Sequence, residues 1–595
     1  GAAIDLTQVE GSSSLFLSNT AAHQGTIAAS STSKQNYLFL TGFRDVELDL
    51  ARVGNGDHPD AITGFDELHK NQLSNWTLTG EQTGDAWRDI AVEAGTLTLR
   101  DASLVMADDA GPARVSETAT LSAIGSSRLD GGLLLDAAGS RLVIGAENAA
   151  PNGRVSRAAA QDASDFVVTG TLASYGSSVD MQNGRAGDQL SIGGDLVGSA
   201  LFALDTDVAT LTTDHVTVAG QAAGDHQLLV GDSGAEPAHG GNALELVATG
   251  GGDAQFGLVG EHVDAGAFRY ELERQGDDWL LVNTAILPTD PTVPTDPTDP
   301  VVPAPPIVPG PDTLSKGANA AVGMHSAYAT LLSAELDTLA QRQGELRVSQ
   351  GNQQGGVWVR GTAQEYRVSD LSSRDYRQNI QSTTVGADKG FDVEGATLYV
   401  GGLMAATDAD QSFGEGVEGD IDGTGAGIYG TYLRDDGIYV DGVVRLTHYE
   451  NEIRFNDNLG RRVRGDDDTT GYSASVEAGR QFAFDGGWRL TPQTQLTVAR
   501  IEGSEYRQSD GLKVDADDLD SVQARVGVLG GKRITLENGI DLQPYARVSY
   551  IAELADDSEV EVNGHDINVE LPGDRVEVGM GMSVGVTPSS RLFID

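Results

Sequence analysis

The sequence predicts an all-β fold in two parts, a right-handed parallel β-helix followed by an antiparallel transmembrane β-barrel. Three observations support it. Short apolar pieces separated by Gly and Asp repeat through the N-terminal half, a proline-rich stretch interrupts the chain near its middle, and long segments with alternating polarity follow it. Glycine accounts for 76 of 595 residues, which is typical of many short strands joined by tight turns.

Composition narrows the class of protein further. The chain has 39 basic and 88 acidic residues and a net charge of -49, which excludes nucleic acid as a partner because phosphate binding needs clustered Lys and Arg. Cysteine is absent, as expected of a chain that crosses an envelope unfolded. Residues 1–5 lack the basic and apolar parts of a signal peptide, so we expect a processed chain or a fragment. No apolar run is long enough for a transmembrane helix.

The N-terminal segment, residues 1–235, contains a sequence repeat. Residues 188–198 resemble residues 214–224, and apolar positions align 26 residues apart, as in Leu190 with Val216. A single unit cannot bury its own apolar face, whereas stacked units can. We therefore predict the rungs of a right-handed parallel β-helix, and a β-sandwich is the alternative.

Two segments connect this region to the rest of the chain. Residues 236–286 concentrate aromatic side chains among Gly-rich turns, and we predict that they cap the C-terminal end of the β-helix. Residues 287–313 hold ten of the 18 prolines, a composition that favours extended polyproline conformation and predicts a linker. A proline-rich ligand for a recognition domain is the other interpretation of these residues.

A helix is predicted over residues 314–350, which are rich in Ala, Leu, Gln and Glu. We expect it to end between residues 344 and 351. Its apolar stripe at helical spacing comprises Val322, Met324, Leu331, Leu332, Leu336 and Leu339.

Residues 351–595 switch to a period of two, the pattern of β-strands. We predict strands at 356–367, 378–391, 396–408, 423–434, 437–453, 468–483, 487–502, 518–534, 538–553 and 575–587, with an eleventh beginning near Arg591. Short turns alternate with the long polar connections 409–422, 454–467, 503–517 and 554–574. Short turns on one side and long loops on the other are typical of a transmembrane barrel. A soluble all-β domain, the alternative, does not predict this alternation.

The two faces of the predicted strands differ in polarity. In residues 437–453, Val440 and Val444 alternate with Asp441 and Arg445. We expect the apolar face to contact lipid and the polar face to line the lumen, because an unpaired charge in lipid is costly.

Several runs of residues resemble one known family. They are Asp264–Leu272, Asp278–Leu280, Leu314–Val322, Arg342–Arg347, Gly356–Gly361, Val385–Asp388, Ile438–Asp441, Ser475–Gly479 and Thr491–Gln493. On these residues the chain resembles the type Va autotransporters, in particular the pertactin-like branch, from Asp188 onward. The resemblance implies a barrel of twelve antiparallel strands around a helix in the outer membrane. It also implies that the β-helix is an exported passenger of adhesin or virulence type at the cell surface.

The resemblance carries further expectations. The chain stops at Asp595 within the eleventh strand, so we expect the twelfth strand and more of the upstream passenger to be missing. The implied partners are outer-membrane lipid, the barrel assembly machinery, periplasmic chaperones and, for the passenger, host-cell surface or serum components. We expect a monomeric barrel, no cofactor and no metal ion.

One reaction is implied by the resemblance, self-cleavage in the linker helix. Many members cut between an Asn and the next residue when the Asn side chain attacks its own carbonyl carbon, and Asn319-Ala320 matches that junction. The family's lumen acids match Asp441 and Glu477, which would orient the amide or take a proton. At a third acidic position this chain has Gln495.

The same residues have plainer interpretations. Asn319 suits a helix N-terminus, where its side chain satisfies backbone amides. Asp441 and Glu477 suit solvated lumen charges, with Asp441 paired to Arg445. About 25 residues of helix at ~1.5 Å each would also place Asn319 near the outer mouth, whereas Asp441 lies near a periplasmic turn.

The tripeptide Arg464-Gly465-Asp466 falls in a predicted extracellular loop. It suggests integrin contact, but so short a motif arises easily by chance, which is the simpler interpretation. Two other functions stay open. One is a β-helix polysaccharide-degrading enzyme, for which no carboxylate cluster or metal site is identified. The other is a porin-like channel, which the helix and the linker disfavour.

Overall fold

The computed structural model describes residues 4–19, 22–30, 35–84, 86–146, 162–237, 243–283, 310–348, 355–369, 372–536, 541–555, 558–570, 573–587 and 590–594. The chain divides into two compact units, Gly1–Pro303 with Asn458–Gly460 and Ala304–Asp457 with Arg461–Asp595. Within the described residues, no helix combines the length and the hydropathy that a membrane span requires.

The N-terminal unit is a stack of short strands with one 3-10 helix at Leu50–Arg52. The strands are β1 (Ile4–Leu6), β2 (Ser13–Ser18), β3 (Ile27–Ala29), β4 (Asn36–Thr41), β5 (Val46–Asp49), β6 (Ile62–Thr63), β7 (Glu67–Lys70), β8 (Asn75–Glu81), β9 (Asp89–Val92), β10 (Gly95–Val105), β11 (Ala113–Val115), β12 (Ala119–Ile124), β13 (Ser126–Asp130), β14 (Leu133–Leu135), β15 (Arg141–Ile144), β16 (Asp165–Val168), β17 (Leu172–Asp180), β18 (Gln189–Ile192), β19 (Leu196–Asp207), β20 (Thr212–Thr213), β21 (His215–Val218), β22 (Ala222–Asp232), β23 (Leu244–Thr249), β24 (Gln255–Leu258), β25 (Val263–Ala265), β26 (Phe268–Gln275) and β27 (Asp278–Val282).

Parallel pairing between successive rungs shows that this unit is a β-helix. β18 pairs in parallel with β21, and Leu190 lies opposite Val216, the register that the 26-residue sequence offset predicts. β19 pairs in parallel with β22, with Phe202 opposite Leu228. The β-sandwich alternative is wrong, because a sandwich is built from antiparallel pairs.

The core of the β-helix is a column of apolar side chains from equivalent positions of successive rungs. Phe166, Leu190, Val216, Phe202 and Leu228 have no exposed surface. Burying one such side chain contributes about 1.5–3 kcal/mol, so each added rung stabilises its neighbours.

Buried carboxylates tie neighbouring turns of the β-helix together. Asp214 is fully buried. Its carboxylate accepts hydrogen bonds from the backbone N–H groups of Gly187 and Asp188, both at 2.9 Å, and of Asp205 at 2.7 Å. Burial raises the pKa of Asp214 to about 8, and the nearby carboxylates of Asp188 and Asp205 raise it too.

The C-terminal end of the β-helix changes from parallel to antiparallel pairing. β27 pairs antiparallel with both β23 and β26. The ring centroids of Phe256 and Trp279 lie 5.5 Å apart at this end. A hairpin with large aromatics therefore lies where the parallel rungs stop, and the capping role of residues 236–286 stays a prediction.

Helix α1, the one α-helix among the described residues, spans Lys316–Val348. Its first turn is capped by Ser315, whose Oγ accepts the backbone N–H of Ala318 at 3.2 Å. Between Lys316 and Glu335 nearly every side chain is buried, polar ones included. Over this span the helix is enclosed on all sides, so the predicted one-sided stripe describes only part of its contact surface there. The side chains of Leu336 and Leu339, which complete the predicted stripe, lie outside the described part of the chain.

The C-terminal unit is built on an antiparallel sheet that follows chain order. Its strands are β28 (Gly355–Val368), β29 (Tyr376–Val393), β30 (Ala396–Ser412), β31 (Glu418–Arg434), β32 (Ile438–Asn456), β33 (Arg462–Arg480), β34 (Phe482–Ala483), β35 (Trp488–Ile501), β36 (Ser504–Arg507), β37 (Lys513–Ala516), β38 (Leu519–Lys532), β39 (Ile534–Thr535), β40 (Asp541–Glu553), β41 (Ser558–Val562), β42 (His565–Val569), β43 (Arg575–Thr587) and β44 (Ser590–Ile594). Eleven of them form the path β28-β29-β30-β31-β32-β33-β35-β38-β40-β43-β44. All eleven predicted strands are confirmed.

The predicted long loops are wrong in detail. β30 to β33 run on into residues 409–422 and 454–467, which leaves connections of only a few residues. Residues 503–517 and 554–574 contribute β36, β37, β41 and β42, which form a separate four-stranded sheet. Apolar residues do alternate with polar ones there, since Ile421, Phe455 and Val463 are buried among more exposed polar neighbours. The many Gly, Asp and Asn residues around them are typical of loops, which is why the sequence predicts connections in these segments.

The sheet is apolar on its outward face and polar on its inward face, as predicted and opposite to the arrangement in a soluble protein. On the outward face, Val444 is 56% exposed and Val526 is 64% exposed. On the inward face, Asp441, Arg445 and Glu477 are buried. Helix α1 contacts strands from both halves of the sheet, so it lies against the inward face.

Candidate functional site in the helix-filled lumen

Hydrogen bonds from several strands hold helix α1 in the lumen. The contacts run in order along the helix. His325 Nε2 lies 2.8 Å from Ser558 Oγ, Ser326 Oγ lies 2.9 Å from Tyr376 Oη, Tyr328 Oη accepts from Asn451 Nδ2 at 3.0 Å, and Thr330 bonds Gln378. Because buried polar groups need partners, these bonds fix the helix at one depth and rotation.

A buried ion pair lies farther along the helix. Glu335 Oε1 accepts from Arg445 at 2.7 Å, and its two oxygens also accept from Thr407 at 3.3 Å and Tyr449 at 3.0 Å. Both charged side chains are more than nine-tenths buried. The carboxylate thus joins the helix to two strands, and its loss would leave a buried guanidinium without its counter-ion.

Glycines on the inward face make room for these side chains. A Cβ on Gly425 would lie 2.7 Å from Thr447 Oγ1 and 3.0 Å from Arg445 Nε, both on the neighbouring strand β32. Gly423 would place a Cβ 3.2 Å from the Tyr449 ring. Only a residue without a side chain lets the long polar groups lie flat against the strand.

Asn319 lies in the first turn of the helix, completely buried. Its Oδ1 accepts the backbone N–H of Arg374 at 2.7 Å, and its own backbone N–H donates to Ser315 O at 2.9 Å. Its Nδ2 has no hydrogen-bond partner among the described residues. The side-chain amide is therefore held at its oxygen and unengaged at its nitrogen.

Arg374 holds the chain just before the helix as well. Its guanidinium donates to the carbonyl oxygens of Pro311 and Leu314, both at 2.9 Å. The connection after β28 thus contacts both Asn319 and the residues that precede the helix.

The structure does not bring Asp441 and Glu477 to Asn319. These two acids are opposite each other on β32 and β33, near the short turn between β31 and β32, and Tyr439 Oη donates to Glu477 at 2.8 Å. Asn319 lies at the other end of the lumen, beside the connection after β28. The ion pair of Glu335 lies between them, about 24 Å along the helix from Asn319 at ~1.5 Å per residue.

Two sequence-based interpretations need correction. Arg445 bonds Glu335 and is not the partner of Asp441 that the sequence suggested. Arg464-Gly465-Asp466 lies in β33 rather than in a loop, where Arg464 pairs with Asp466 at 3.1 Å and with Glu452 at 3.3 Å. An extended strand already bonded to its neighbour does not present the tripeptide as a loop tip would.

Sequence reasoning missed Glu335 and Arg374. A signal existed for Glu335, because a charged residue in an Ala- and Leu-rich helix that fills a barrel needs an opposite charge on the wall. For Arg374 there was none, since a residue in a connection shows no periodicity.

Comparisons with known proteins agree with this architecture. The autotransporter β-domain family matches residues 357–595, and the pertactin family matches residues 170–283. The pertactin autotransporter of Bordetella bronchiseptica is 35% identical over 417 residues, which are 67% of this chain and 45% of that protein. The autotransporter adhesin/invasin TibA of Escherichia coli is 32% identical over 431 residues, 68% of this chain and 43% of that protein. The chain spans less than half the length of these curated relatives.

A solved structure, the β-domain of the Bordetella autotransporter BrkA, is 30% identical and matches 40% of this chain and 90% of its own, with a TM-score of 0.34. The family assignment depends on the sequence matches, which cover both the β-helix and the barrel. The chain belongs to the autotransporters, with a pertactin-like passenger segment followed by an autotransporter β-domain.

Proposed function

We propose that this protein exports its own N-terminal β-helix and displays it at the surface of a Gram-negative cell. In this proposal the barrel resides in the outer membrane. The observation that carries it is the inverted polarity of the sheet, whose outward apolar side chains suit lipid and whose inward polar side chains enclose the helix. In the sequence, that helix directly follows the linker from the passenger.

The filled lumen favours a translocator over a porin-like channel. The helix occupies the space that a porin keeps open, and each bond between helix and strands would have to break before the lumen could conduct. We infer that the helix marks the position of the chain after export.

For the passenger we infer an adhesin- or virulence-type role. The pertactin segment and the likeness to an adhesin/invasin autotransporter support it. Host-cell surface or serum components are the proposed partners, and the barrel assembly machinery and periplasmic chaperones are the proposed partners during export.

We also infer a single-turnover cleavage between Asn319 and Ala320. The unengaged Nδ2 is the nucleophile, and the Arg374 N–H stabilises negative charge on Oδ1 when the amide loses a proton. Nδ2 attacks the Asn319 carbonyl carbon, the bond to Ala320 N breaks, the proton from Nδ2 passes to the departing amine, and a succinimide remains. Asp441 and Glu477, at the far end of the lumen, take no part in this proposed step.

The test uses the complete natural gene in a Gram-negative host. Wild type is compared with Asn319→Ala and, as a matched control, with Asn379→Ala on the exposed face of β29. Outer membranes are analysed on unboiled and boiled gels and by intact mass. We expect a heat-modifiable barrel in all three, with a fragment beginning at Ala320 in wild type and the control only.

Each other outcome has a definite meaning. A heat-modifiable but uncleaved wild type would exclude cleavage and keep the translocator. A soluble product, or a passenger that protease added to intact cells cannot reach, would refute the proposed export function.

A further inference from the structure

The outward face of the β-helix brings together side chains from three strands. β7 pairs in parallel with β4 and with β9. Glu67 and His69 are two residues apart on β7 and therefore share a face, and Asp89 on β9 lies directly opposite Glu67. The parallel register thus gathers two carboxylates and one imidazole at one point of the solenoid.

The three side chains converge on a small volume. His69 Nε2 lies 3.5 Å from Glu67 Oε2 and 3.7 Å from Asp89 Oδ2, and all three atoms lie within 4.8 Å of one another. These separations are too long for N–H···O hydrogen bonds, which measure about 2.7–3.2 Å. They are close to the distance between two ligand atoms of a tetrahedral metal site, which is roughly 3.4 Å when each metal–ligand bond measures about 2.1 Å.

The second ring nitrogen of His69 sets its tautomer. Nδ1 lies 3.2 Å from Glu93 Oε1, and because an ionised carboxylate can only accept, the proton of a neutral ring belongs on Nδ1. The Nε2 lone pair then faces the two carboxylate oxygens, and this buried atom makes no hydrogen bond. A carboxylate on the second nitrogen is the usual outer partner of a metal-binding histidine.

Neighbouring groups fix the ring and leave one side open. The rings of Tyr37 and Phe39 lie 5.7 and 5.2 Å from the imidazole. The Glu67 and His69 side chains are about nine-tenths buried, whereas Asp89 is 34% exposed. Arg114 approaches the same Asp89 oxygen, but only to 3.8 Å. A fourth coordination position is therefore accessible to water from the Asp89 side.

We propose that Glu67, His69 and Asp89 form a binding site for a divalent transition-metal cation, and that this cation is Zn²⁺. The three acceptor atoms face one another, an arrangement that a cation bound among them stabilises, and an imidazole with two carboxylates suits zinc. Glu93 is a positioning residue that orients the imidazole. The cation joins β7 to β9 and so cross-links two successive rungs. The site is independent of the export function.

The test measures Zn²⁺ binding to the full chain, purified in detergent, by competition with a chromophoric chelator, and Co²⁺ binding by visible absorption. His69→Gln is the principal variant. His215→Gln is the matched control, because His215 Nε2 faces a single carboxylate, Glu245, at 3.0 Å. We expect one cation per chain, a tetrahedral Co²⁺ spectrum and at least a 100-fold loss of affinity in His69→Gln, with the control unchanged. Glu93→Gln should weaken binding 10- to 100-fold.

Circular dichroism shows whether each variant folds. If His69→Gln does not fold, the variants Glu67→Gln and Asp89→Asn replace it, because both should weaken Zn²⁺ binding while the fold stays intact. Equal binding by wild type and the folded site variants would overturn the proposal. So would a folded wild type that binds no Zn²⁺ and no Co²⁺ at neutral pH.

Discussion

The ion pair between Glu335 and Arg445 gives the sharpest test of how the helix is held in the lumen. At 2.7 Å and an effective dielectric constant of about 20, the attraction between the two charges is about 6 kcal/mol. Much of it offsets the cost of removing both charges from water. Deleting one partner leaves the other charge buried, and we therefore expect Glu335→Gln or Arg445→Met to cost about 3–5 kcal/mol.

The double variant Glu335→Gln/Arg445→Met separates pairing from packing. Because it leaves no buried unpaired charge, we expect it to cost at least about 2 kcal/mol less than the sum of the single variants. Glu365→Gln is the matched control, since Glu365 pairs with Arg367 at the exposed surface and the loss of such a pair costs about 1 kcal/mol or less.

The assay is a urea titration of the purified chain in detergent. The folded fraction at each urea concentration is the fraction that migrates as the compact form on unboiled gels. Single variants that unfold within about 0.5 kcal/mol of wild type, or a double variant that equals their sum, would refute the reasoning that this charge pair fixes the helix.

Three further predictions use the same titration, with tryptophan emission for the N-terminal unit. Gly425→Ala should lower the free energy of unfolding of the barrel by about 1–3 kcal/mol, because the new methyl group crowds the lumen. In the control Gly402→Ala the nearest atom to the new Cβ is Gly427 O at 3.6 Å, so we expect a change of less than about 0.5 kcal/mol. Equal effects of the two variants would contradict the lumen packing. Burial raises the pKa of Asp214 to about 8, so above the ordinary carboxyl pKa the folded β-helix holds a proton that the unfolded chain has lost. The stability that this proton confers is present at acidic pH and is lost as the pH rises through 8, so the urea midpoint should be higher at pH 5 than at pH 9. The opposite pH dependence would contradict the assigned pKa. Leu190→Ala should cost about 2–5 kcal/mol, and Gln189→Ala on the exposed face should cost almost nothing; similar losses would show that Leu190 is not core.

Local patterns predicted most of the fold. The alternation of polarity located all eleven barrel strands, because in a strand successive side chains point to opposite faces whatever the rest of the chain does. The 26-residue offset gave the register of Leu190 with Val216, because stacked rungs place equivalent residues in contact. The strand ends in residues 409–422 and 454–467 were missed although Ile421 and Val463 are buried there, because Gly, Asp and Asn around them are typical of loops.

The contacts that define the candidate sites join residues far apart in sequence. Glu335 meets Arg445 across 110 residues, and Asn319 meets Arg374 across 55. These pairs depend on the stagger of the strands and on the depth of the helix in the lumen. Periodicity therefore determined which residues face inward, toward a core or a lumen, because that is a property of each strand alone. Which inward residues meet was decided by how strands and helix pack, because no local pattern encodes the distance between elements.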